Sequence, residues 1–492
     1  MITYGIVSHN HDASLTVLDD NKILFASESE RFSKVKNDPF LHADLIGYCI
    51  DNFGYPEKIN YFENPVNIIN IINSGFRHIK TKKTIEKYLS SYFPRKDIKD
   101  VLEFKDHHLC HAASGALTSG FEDAAVIVMD AFGQTSTVTV FHYTKGQFVE
   151  KFKLKYPDSI GLFYSTFTHR LGYMPNRDEY ILMAMAAFGQ PLYTDVIKED
   201  FFDDFSLNLR LKINCHRTIN FYGATWDEQT KFNIAASVQN IFTDYVLEVV
   251  KWARLNIEST NLVLAGGCFF NALTNTKIAQ LGLYDHIWMH PIVGDGGSSM
   301  GAAALDAGPL EFTDASLGYE LEEKTIDIDA IVKELLAGNA VGLAYGRSDF
   351  CPRGLTHRVI LMDPRLDHAR EVINKVKLRE SFRPLALMVL DEDAPLLFET
   401  EPGVTYRYMQ YIVKGRGQSF DCECVKHIDN TSRILTVENT PSLMRDLLVK
   451  WKEASGCLAL VSSSLNIKNQ PVLNDENDIK QFIEQTGLPV FY

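Results

Sequence analysis

The sequence predicts an α/β protein in two parts: a duplicated αβ domain over residues 1–325 and a second αβ domain over 326–492. Three observations lead there. A pattern of short apolar runs and turn signals at the start of the chain returns about 120 residues later. Residues 311–325 are acidic and irregular, which reads as a boundary. The remainder alternates helical and strand-like runs and exceeds 160 residues, enough to bury a core of its own. Composition agrees: 492 residues, 46% hydrophobic and 23% charged, exclude a collagenous, coiled-coil or wholly disordered chain. No run of 18 apolar residues occurs, so no membrane span is expected. The start, MITYGIVSHN, lacks the basic and apolar regions of a signal peptide. The net charge of −14 argues against non-specific nucleic-acid binding. Eight cysteines without a CxxC pair fit buried thiols in a reducing cytoplasm.

Residues 2–8 are a β-rich run, and the apolar runs 13–18 and 22–26 are split by the turn Asp19-Asp20-Asn21. The second copy runs 125–129 into Asp130, then 136–142, a turn at Lys145-Gly146, and 148–154. A strand and returning hairpin, occurring twice, is by analogy the layout of the actin/sugar-kinase-like (ASKHA) folds, which hold a nucleotide between two such halves. Residues 233–255 have helical periodicity, with Ile234, Val238, Ile241, Tyr245 and Val249 on one face. Short strands follow at 261–265 and 287–290, and a small-residue helix at 298–307 is closed by Gly308-Pro309. Beyond the boundary, helices are expected at 326–337 and 442–455, and strands at 340–345, 385–390, 408–413 and 458–462.

Five stretches carry chemistry. In Asp106-His107-His108-Leu109-Cys110-His111, His107 and His111 stand i and i+4 on one helical face, a spacing that chelates a cation; ordinary helix histidines are the plainer reading. Asp130 ends the next apolar strand, where its carboxylate would meet the same cleft. Gly266-Gly267 between a strand and a helix, with Asn271 and Asn275 on the first turns, lets a flat ligand approach the backbone. Asp295-Gly296-Gly297 before the small-residue helix combines a metal-ligand carboxylate with N–H groups for phosphate, or is simply a helix cap. His11-Asp12, and Lys36 further on, offer groups for a small polar substrate. Arg353, Arg358 and Arg383 beside prolines, with Ser463 and Asn466 at a hydroxyl-rich strand end, suit a small oxyanion.

In order and over nearly the whole chain, these stretches resemble the nodulation-protein-U/cephalosporin-type O-carbamoyltransferase family. His11-Asp12 is similar to its N-terminal His-Asp motif, and Glu30-Arg31-Phe32-Ser33 with Lys36 to its ERFxRxK stretch. His107, His108 and His111 match HHxxHA, Gly266-Gly267 with Asn271 and Asn275 match GGxxxNxxxN, and Asp295-Gly296-Gly297 matches the late D-x-G motif. Pro352-Arg353, Arg358, Asp363-Pro364-Arg365 and Phe382-Arg383-Pro384 match motifs of the second domain. Departures are CPRGLTHRV for GPRALGNRS, with His357 for Asn; SSSLN for NTSFN; and Ile181 where the family has a lysine.

The resemblance implies an ASKHA domain followed by a YrdC-like domain. It implies carbamoyl phosphate as donor, bound by Arg353, Arg358, Arg383, Ser463 and Asn466. It implies ATP, bound by Gly266, Gly267, Asn271, Asn275, Gly296 and Gly297, and a carbamoyladenylate whose carbamoyl carbon is attacked by an acceptor hydroxyl. One divalent metal held by His107, His111, Asp130 and Asp295 would neutralise the ATP phosphates, and this N/O set suits iron, manganese or zinc. Lys36 would stabilise charge on the adenylate, and His11, beside Asp12, would orient or deprotonate the acceptor hydroxyl.

Residues 76–105 bear on the acceptor. Nine basic residues stand against four acidic ones, and aromatic residues are interleaved. Lys80, Lys82, Lys83, Lys87 and Tyr88 read as acceptor-binding groups for an anionic partner such as DNA carrying a hydroxymethylated pyrimidine. A solvated amphipathic helix explains the same stretch. A natural-product or sugar hydroxyl, tRNA threonylcarbamoyl transfer, and a nucleotide-binding protein without catalysis are the alternatives. A homodimer is an open expectation.

Overall fold

The computed structural model describes residues 1–492 apart from 66–80, 95–96, 216–224, 380–382, 384 and 417–421. The chain divides into two compact units: Met1–Leu24 with Pro39–Phe312, and Phe25–Asp38 with Thr313–Tyr492.

Two five-stranded sheets frame the first unit. One comprises β1 (Ile2–Val7), β2 (Ser14–Asp19), β3 (Lys22–Glu28), β4 (Lys58–Tyr61) and β5 (Leu102–Phe104), in the order β3-β2-β1-β4-β5. The other comprises β6 (Asp123–Gly133), β7 (Ser136–Thr144), β8 (Gln147–Lys155), β11 (Asn261–Ala265) and β12 (His286–Trp288). Read from its hairpin edge, its order is β8-β7-β6-β11-β12. Between them in sequence, β9 (Phe202–Asp204) and β10 (Arg210–Leu211) form a separate ladder. The first strand of each sheet runs antiparallel to the second and parallel to the fourth. The duplicated ASKHA layout expected from the sequence is thus present in the strand topology.

Five of the six residues of β1 are buried, as for a central strand covered on both faces. Gly5 shows how closely it is covered: a Cβ there would lie 1.9 Å from the Ser299 carbonyl oxygen on helix Ser298–Ala307. The long helix runs Glu228–Asn256, started by the Asp227 carboxylate accepting from Thr230 N at 2.7 Å. The apolar stripe read from the sequence is its buried face.

In the second unit, an eight-stranded mixed sheet orders Phe398–Glu399, Ile412–Gly415, Thr431–Val437, Ala386–Leu390, Ala459–Ser464, Arg358–Met362, Val341–Ala344 and Val490–Phe491. The strand expected at 408–413 begins only at Ile412. Met409 takes φ +56°, and the Tyr408 and Met409 carbonyls accept from Arg353 Nη1 at 3.0 and 2.5 Å, so a side chain takes the place of ladder bonds there.

The segment Phe25–Asp38 is built into this unit. Buried Arg31 donates to the Cys351 carbonyl at 2.5 Å and lies 3.7 Å from buried Glu28. Lys34 pairs with Asp475 and Asp478, at 3.2 and 2.5 Å. Among the described residues, no helix is long and apolar enough to cross a membrane, and all eight cysteines are free thiols.

Candidate functional site

Four elements of the first unit bring two imidazoles and two carboxylates together. Helix His107–Ala116 starts at Asp106, whose carboxylate accepts from Leu109 N at 2.9 Å, and its period puts His107 above His111. This helix crosses Ser298–Ala307 at Gly301, where a Cβ would lie 1.8 Å from the Cys110 carbonyl. That contact carries His111 to the turn Asp295–Gly297 at the head of the second helix. Asp130 lies at the register shift of β6 between Met129 and Gly133, where a bulge re-aims side chains. Gly133 leaves room for the His107 ring, since a Cβ there would come within 2.1 Å of it.

The donor atoms that converge are His107 Nε2, His111 Nε2, Asp130 Oδ2 and Asp295 Oδ1. His111 Nε2 lies 3.1 Å from His107 Nε2, 3.1 Å from Asp295 Oδ1 and 3.2 Å from Asp130 Oδ2. His107 Nε2 lies 3.4 Å from Asp130 Oδ2 and 3.5 Å from Asp295 Oδ1. Ligands about 2.1 Å from a tetrahedral ion stand roughly 3.4 Å apart, so atoms at these spacings could hold a metal ion. The remaining polar atom of each ligand faces outward. His111 Nδ1 meets Ser298 Oγ at 3.1 Å, Asp130 Oδ1 accepts from Ala131 N at 2.8 Å, and Asp295 Oδ2 accepts from Asn10. His107 Nδ1 has Glu63 3.6 Å away. Outer partners of this kind fix which ring nitrogen turns inward. Asp295 follows Gly294, the N-cap of its turn, and both of its carboxylate oxygens meet side chains.

Imidazoles and carboxylates of the cluster stabilise each other's charges. Burial opposes charge on His107, yet Asp295, Asp130 and Glu63 hold its pKa well above the ordinary value. His111 is raised too, against burial, by Asp130 and Asp295. Burial also opposes ionised Asp130, and the two imidazoles hold it well below the usual carboxylate range. Protons on the imidazoles thus supply the positive charge that the carboxylates demand. His108, one residue away on the helix, is held well below the ordinary value by burial and the neighbouring imidazoles, and its Nδ1 meets Thr139 at 2.7 Å. It stands outside the cluster as a neutral core residue.

His11 and Asp12 sit in the β1–β2 turn beside this cluster. His11 Nδ1 is 2.9 Å from Asp12 Oδ2, and its Nε2 is 4.0 Å from Asp295 Oδ2. Burial pulls its pKa down, but the Asp12 hydrogen bond, Asp295 and Asp130 push it up to about 9. Lys36 falls in the segment belonging to the second unit, with Nζ 2.6 Å from Glu30 Oε1. Asn37 N donates to the other oxygen of buried Glu30 at 2.8 Å, so the ERF stretch is bound into the fold by its own charges.

Of the residues expected to face ATP, Gly266 has φ +97°, and a Cβ there would lie 2.2 Å from the Met129 carbonyl; only glycine fits. Gly267 faces Asp130 Oδ1, 3.1 Å from where its Cβ would be. A Cβ on Gly297 would lie 2.1 Å from the Ile292 carbonyl, and the Gly296 carbonyl accepts from Ser14 Oγ at 2.6 Å. The asparagines differ from the expectation. Asn271 caps helix Ala272–Gln280 through Thr274 N and bonds Gln239, and fully buried Asn275 donates to the Phe269 carbonyl at 2.8 Å. Their amides shape the turn.

The second unit gathers several cations. Buried Lys377 donates to Asn466 Oδ1 at 2.7 Å, the Asn466 carbonyl at 2.8 Å and Ser464 Oγ at 3.2 Å. Burial, Arg379 and Arg383 hold its pKa well below the lysine range. Arg433 is pushed down to about 9 by burial and by Arg353, Arg379 and Arg383, and its Nε is buried without a hydrogen-bond partner. Arg353 and Arg383 therefore belong to one cationic group with Lys377 and Arg379, which lie in the same stretch of sequence as Arg383, and with Arg433, which no local pattern in the sequence marks. Ser463 is buried in the strand Ala459–Ser464, and Asn466 is held by Lys377. Arg358 does not join the group. Fully buried, it donates through Nη1 to Tyr345 O and His357 O, and through Nη2 to Gly346 O and Asn474 O, at 2.6–3.3 Å. Its guanidinium binds backbone rather than an anion. His357, at the departure from the family motif, has Nδ1 2.9 Å from Thr356 Oγ1 and 3.3 Å from Asp349 Oδ1.

Of the basic stretch, Lys80 lies outside the described residues. Helix Lys82–Tyr92 exposes Lys82, Lys83 and Lys87, while Ile85 and Leu89 are buried. Tyr88 packs inward: its hydroxyl accepts from Leu41 N at 2.8 Å, and its ring meets His9 edge-on at 4.3 Å. The helical period separates the lysines from this ring, so Tyr88 is no stacking platform on the lysine face.

Comparison with known proteins gives this arrangement a family. The signature described as the carbamoyltransferase N-terminus matches residues 55–304, and that described as the carbamoyltransferase C-terminus matches 332–492. Nodulation protein NolNO of Sinorhizobium fredii is 26% identical, over 95% of this chain and 76% of that protein. The 3'-hydroxymethylcephem-O-carbamoyltransferase of Amycolatopsis lactamdurans is 24% identical, over 97% of this chain and 95% of that enzyme. Among solved structures, full-length HypF in its phosphate- and nucleotide-bound form aligns with a TM-score of 0.35 and 14% identity, covering 62% of this chain and 55% of that one. With both signatures in order along its length, the chain belongs to the carbamoyltransferase family and is a carbamoyltransferase.

Proposed function

We propose that the protein transfers the carbamoyl group of carbamoyl phosphate to an acceptor hydroxyl, through a carbamoyladenylate formed from ATP. The observation that carries this reading is the set of four inward-facing donors, His107, His111, Asp130 and Asp295, the last three steadied from outside by hydrogen bonds. A divalent cation held there supplies positive charge for the phosphates of ATP. Support for the donor comes from the second unit, where Arg379 and Arg383 act electrostatically on both Lys377 and Arg433, a concentration of positive charge that suits the phosphate of carbamoyl phosphate.

The bonds balance as follows. Water releases carbamate and inorganic phosphate from carbamoyl phosphate. A carbamate oxygen bonds to the α-phosphorus of ATP, and pyrophosphate leaves. The acceptor oxygen then bonds to the carbamoyl carbon, its proton is lost, and AMP leaves. His11, steadied by Asp12, is the group beside the cluster suited to orient that hydroxyl and, in its neutral form, favoured above the raised pKa of about 9, to take its proton.

Labelled carbamoyl phosphate, ATP and Mn2+ incubated with sugar alcohols, hydroxymethyl-bearing heterocycles and hydroxymethylated DNA test the reading. Label on an alcohol with loss of transfer in His111→Ala is expected. Retained transfer in that variant would remove the cluster from the mechanism. Transfer to DNA alone would identify a polyanionic acceptor, for which exposed Lys82, Lys83 and Lys87 are the contact candidates.

A further inference from the structure

We infer that Asn10 is a positioning residue that fixes Asp295 for metal binding; this rests on the metal reading above. Asp295 Oδ1 faces the two histidines, while Oδ2 accepts from Asn10 Nδ2. The donated hydrogen bond occupies one oxygen and holds the carboxylate plane, so Asp295 presents a single oxygen to the cluster. His11 Nε2 also faces Oδ2, at 4.0 Å. Asn10 and His11 of the same turn thus both address Oδ2, with Asn10 making the hydrogen bond.

The turn holding Asn10 is fixed on both sides. His9 and Asp12 take φ +63° and +62°, conformations that side-chain-bearing residues rarely adopt and that persist only where neighbours enforce them. His9 N donates to the Pro39 carbonyl at 2.7 Å, Ser8 Oγ meets His9 Nδ1 at 3.0 Å, and His11 is bonded to Asp12. The His9 ring packs edge-on against Phe40 and Tyr88, with centroids 5.3 and 4.3 Å away. A side chain on so constrained a turn reaches Asp295 in one geometry. The bond spans 285 positions of sequence, joining the first hairpin to the last helix of the first unit.

Mn2+ binding by the full-length protein tests this, with free ion read by electron paramagnetic resonance for wild type, Asn10→Ala, Asn10→Leu and His111→Ala. Leucine keeps nearly the shape of asparagine without its donor. The inference expects one equivalent in wild type, and one equivalent bound about 10- to 100-fold more weakly in both Asn10 variants. Melting of the metal-free variants should stay close to wild type, which a purely structural residue would not allow. A wild-type dissociation constant in Asn10→Leu would mean that Asn10 only fills space, and would overturn the inference while leaving the metal reading intact. No Mn2+ uptake by wild type would overturn both, and uptake unchanged by His111→Ala would place the ion elsewhere with the same result.

Discussion

Replacing Arg433 by methionine should stabilise the ligand-free protein while removing its response to phosphate. Arg433 is pushed down from the ordinary arginine range to about 9, first by burial and then by Arg353, Arg379 and Arg383. Each unit of pKa corresponds to about 1.4 kcal/mol, so holding the charge there costs at most roughly 5 kcal/mol. The folded-state value lies below the unfolded one. The folded protein therefore binds fewer protons from about pH 9 up to the ordinary arginine range, and stability rises with pH across that window. Below it the penalty is present in full, so pH 7 is the condition to use. Methionine keeps an adaptable apolar stem but forfeits whatever bonds the guanidinium makes. A net gain of about 1–2 kcal/mol is the realistic expectation. For a unit of this size that is roughly 2–8 °C in Tm. The assay is calorimetry with and without inorganic phosphate or carbamoyl phosphate. Wild type should melt higher with either anion, and Arg433→Met should start higher and shift little. A variant that melts lower than wild type and keeps the full anion shift would refute the reasoning.

Other consequences are equally specific. Mn2+ binding should release protons, because burial notwithstanding Asp295 and Asp130 raise His107 and His111 in the ion-free cluster. Affinity should therefore rise with pH, and titration calorimetry in buffers of different ionisation enthalpy would count the protons released. Gly301→Val should cost about 1–3 kcal/mol or more and weaken Mn2+ binding, since a Cβ at 1.8 Å from the Cys110 carbonyl forces apart the helices that bring His111 to Asp295. Arg31→Met should destabilise by about 3 kcal/mol, measured by denaturant unfolding, because it leaves buried Glu28 without its cationic neighbour. Reversing the exposed charges with Lys82→Glu, Lys83→Glu and Lys87→Glu together should raise KM for a nucleic-acid acceptor and leave KM for a neutral alcohol unchanged.

The four-donor cluster was largely legible in the sequence because its cues are local. His107 and His111 share a face by helical period, Asp130 ends an apolar strand, and Asp295 opens a helix. The partners that steady them were not. Asn10 reaches Asp295 across 285 positions, and Ser298 and Glu63 look like ordinary turn residues until the chain is folded. Arginines illustrate the same limit. Arg358 and Arg353 read alike beside Pro352 and Gly354, and both donate to backbone carbonyls, yet Arg353 also acts on Arg433 as part of a cationic group. Arg433 stands in a β-rich run where a single charge suggests a solvent-facing position. Only the pairing of its strand with Ala386–Leu390 and Ile412–Gly415 makes it part of an interior sheet. The duplicated topology was visible from repeated turn signals. The return of Phe25–Asp38 to the second unit was not, because nothing in a short charged stretch says which core it will join.

The measurement that bears most directly on the whole account is AMP formation from ATP with and without carbamoyl phosphate, in the presence of Mn2+. Formation of AMP and pyrophosphate that requires carbamoyl phosphate, and is lost in His111→Ala and in Arg433→Met, is what the account predicts. Carbamoyl transfer to an alcohol without any AMP, or AMP formation indifferent to carbamoyl phosphate, would contradict it.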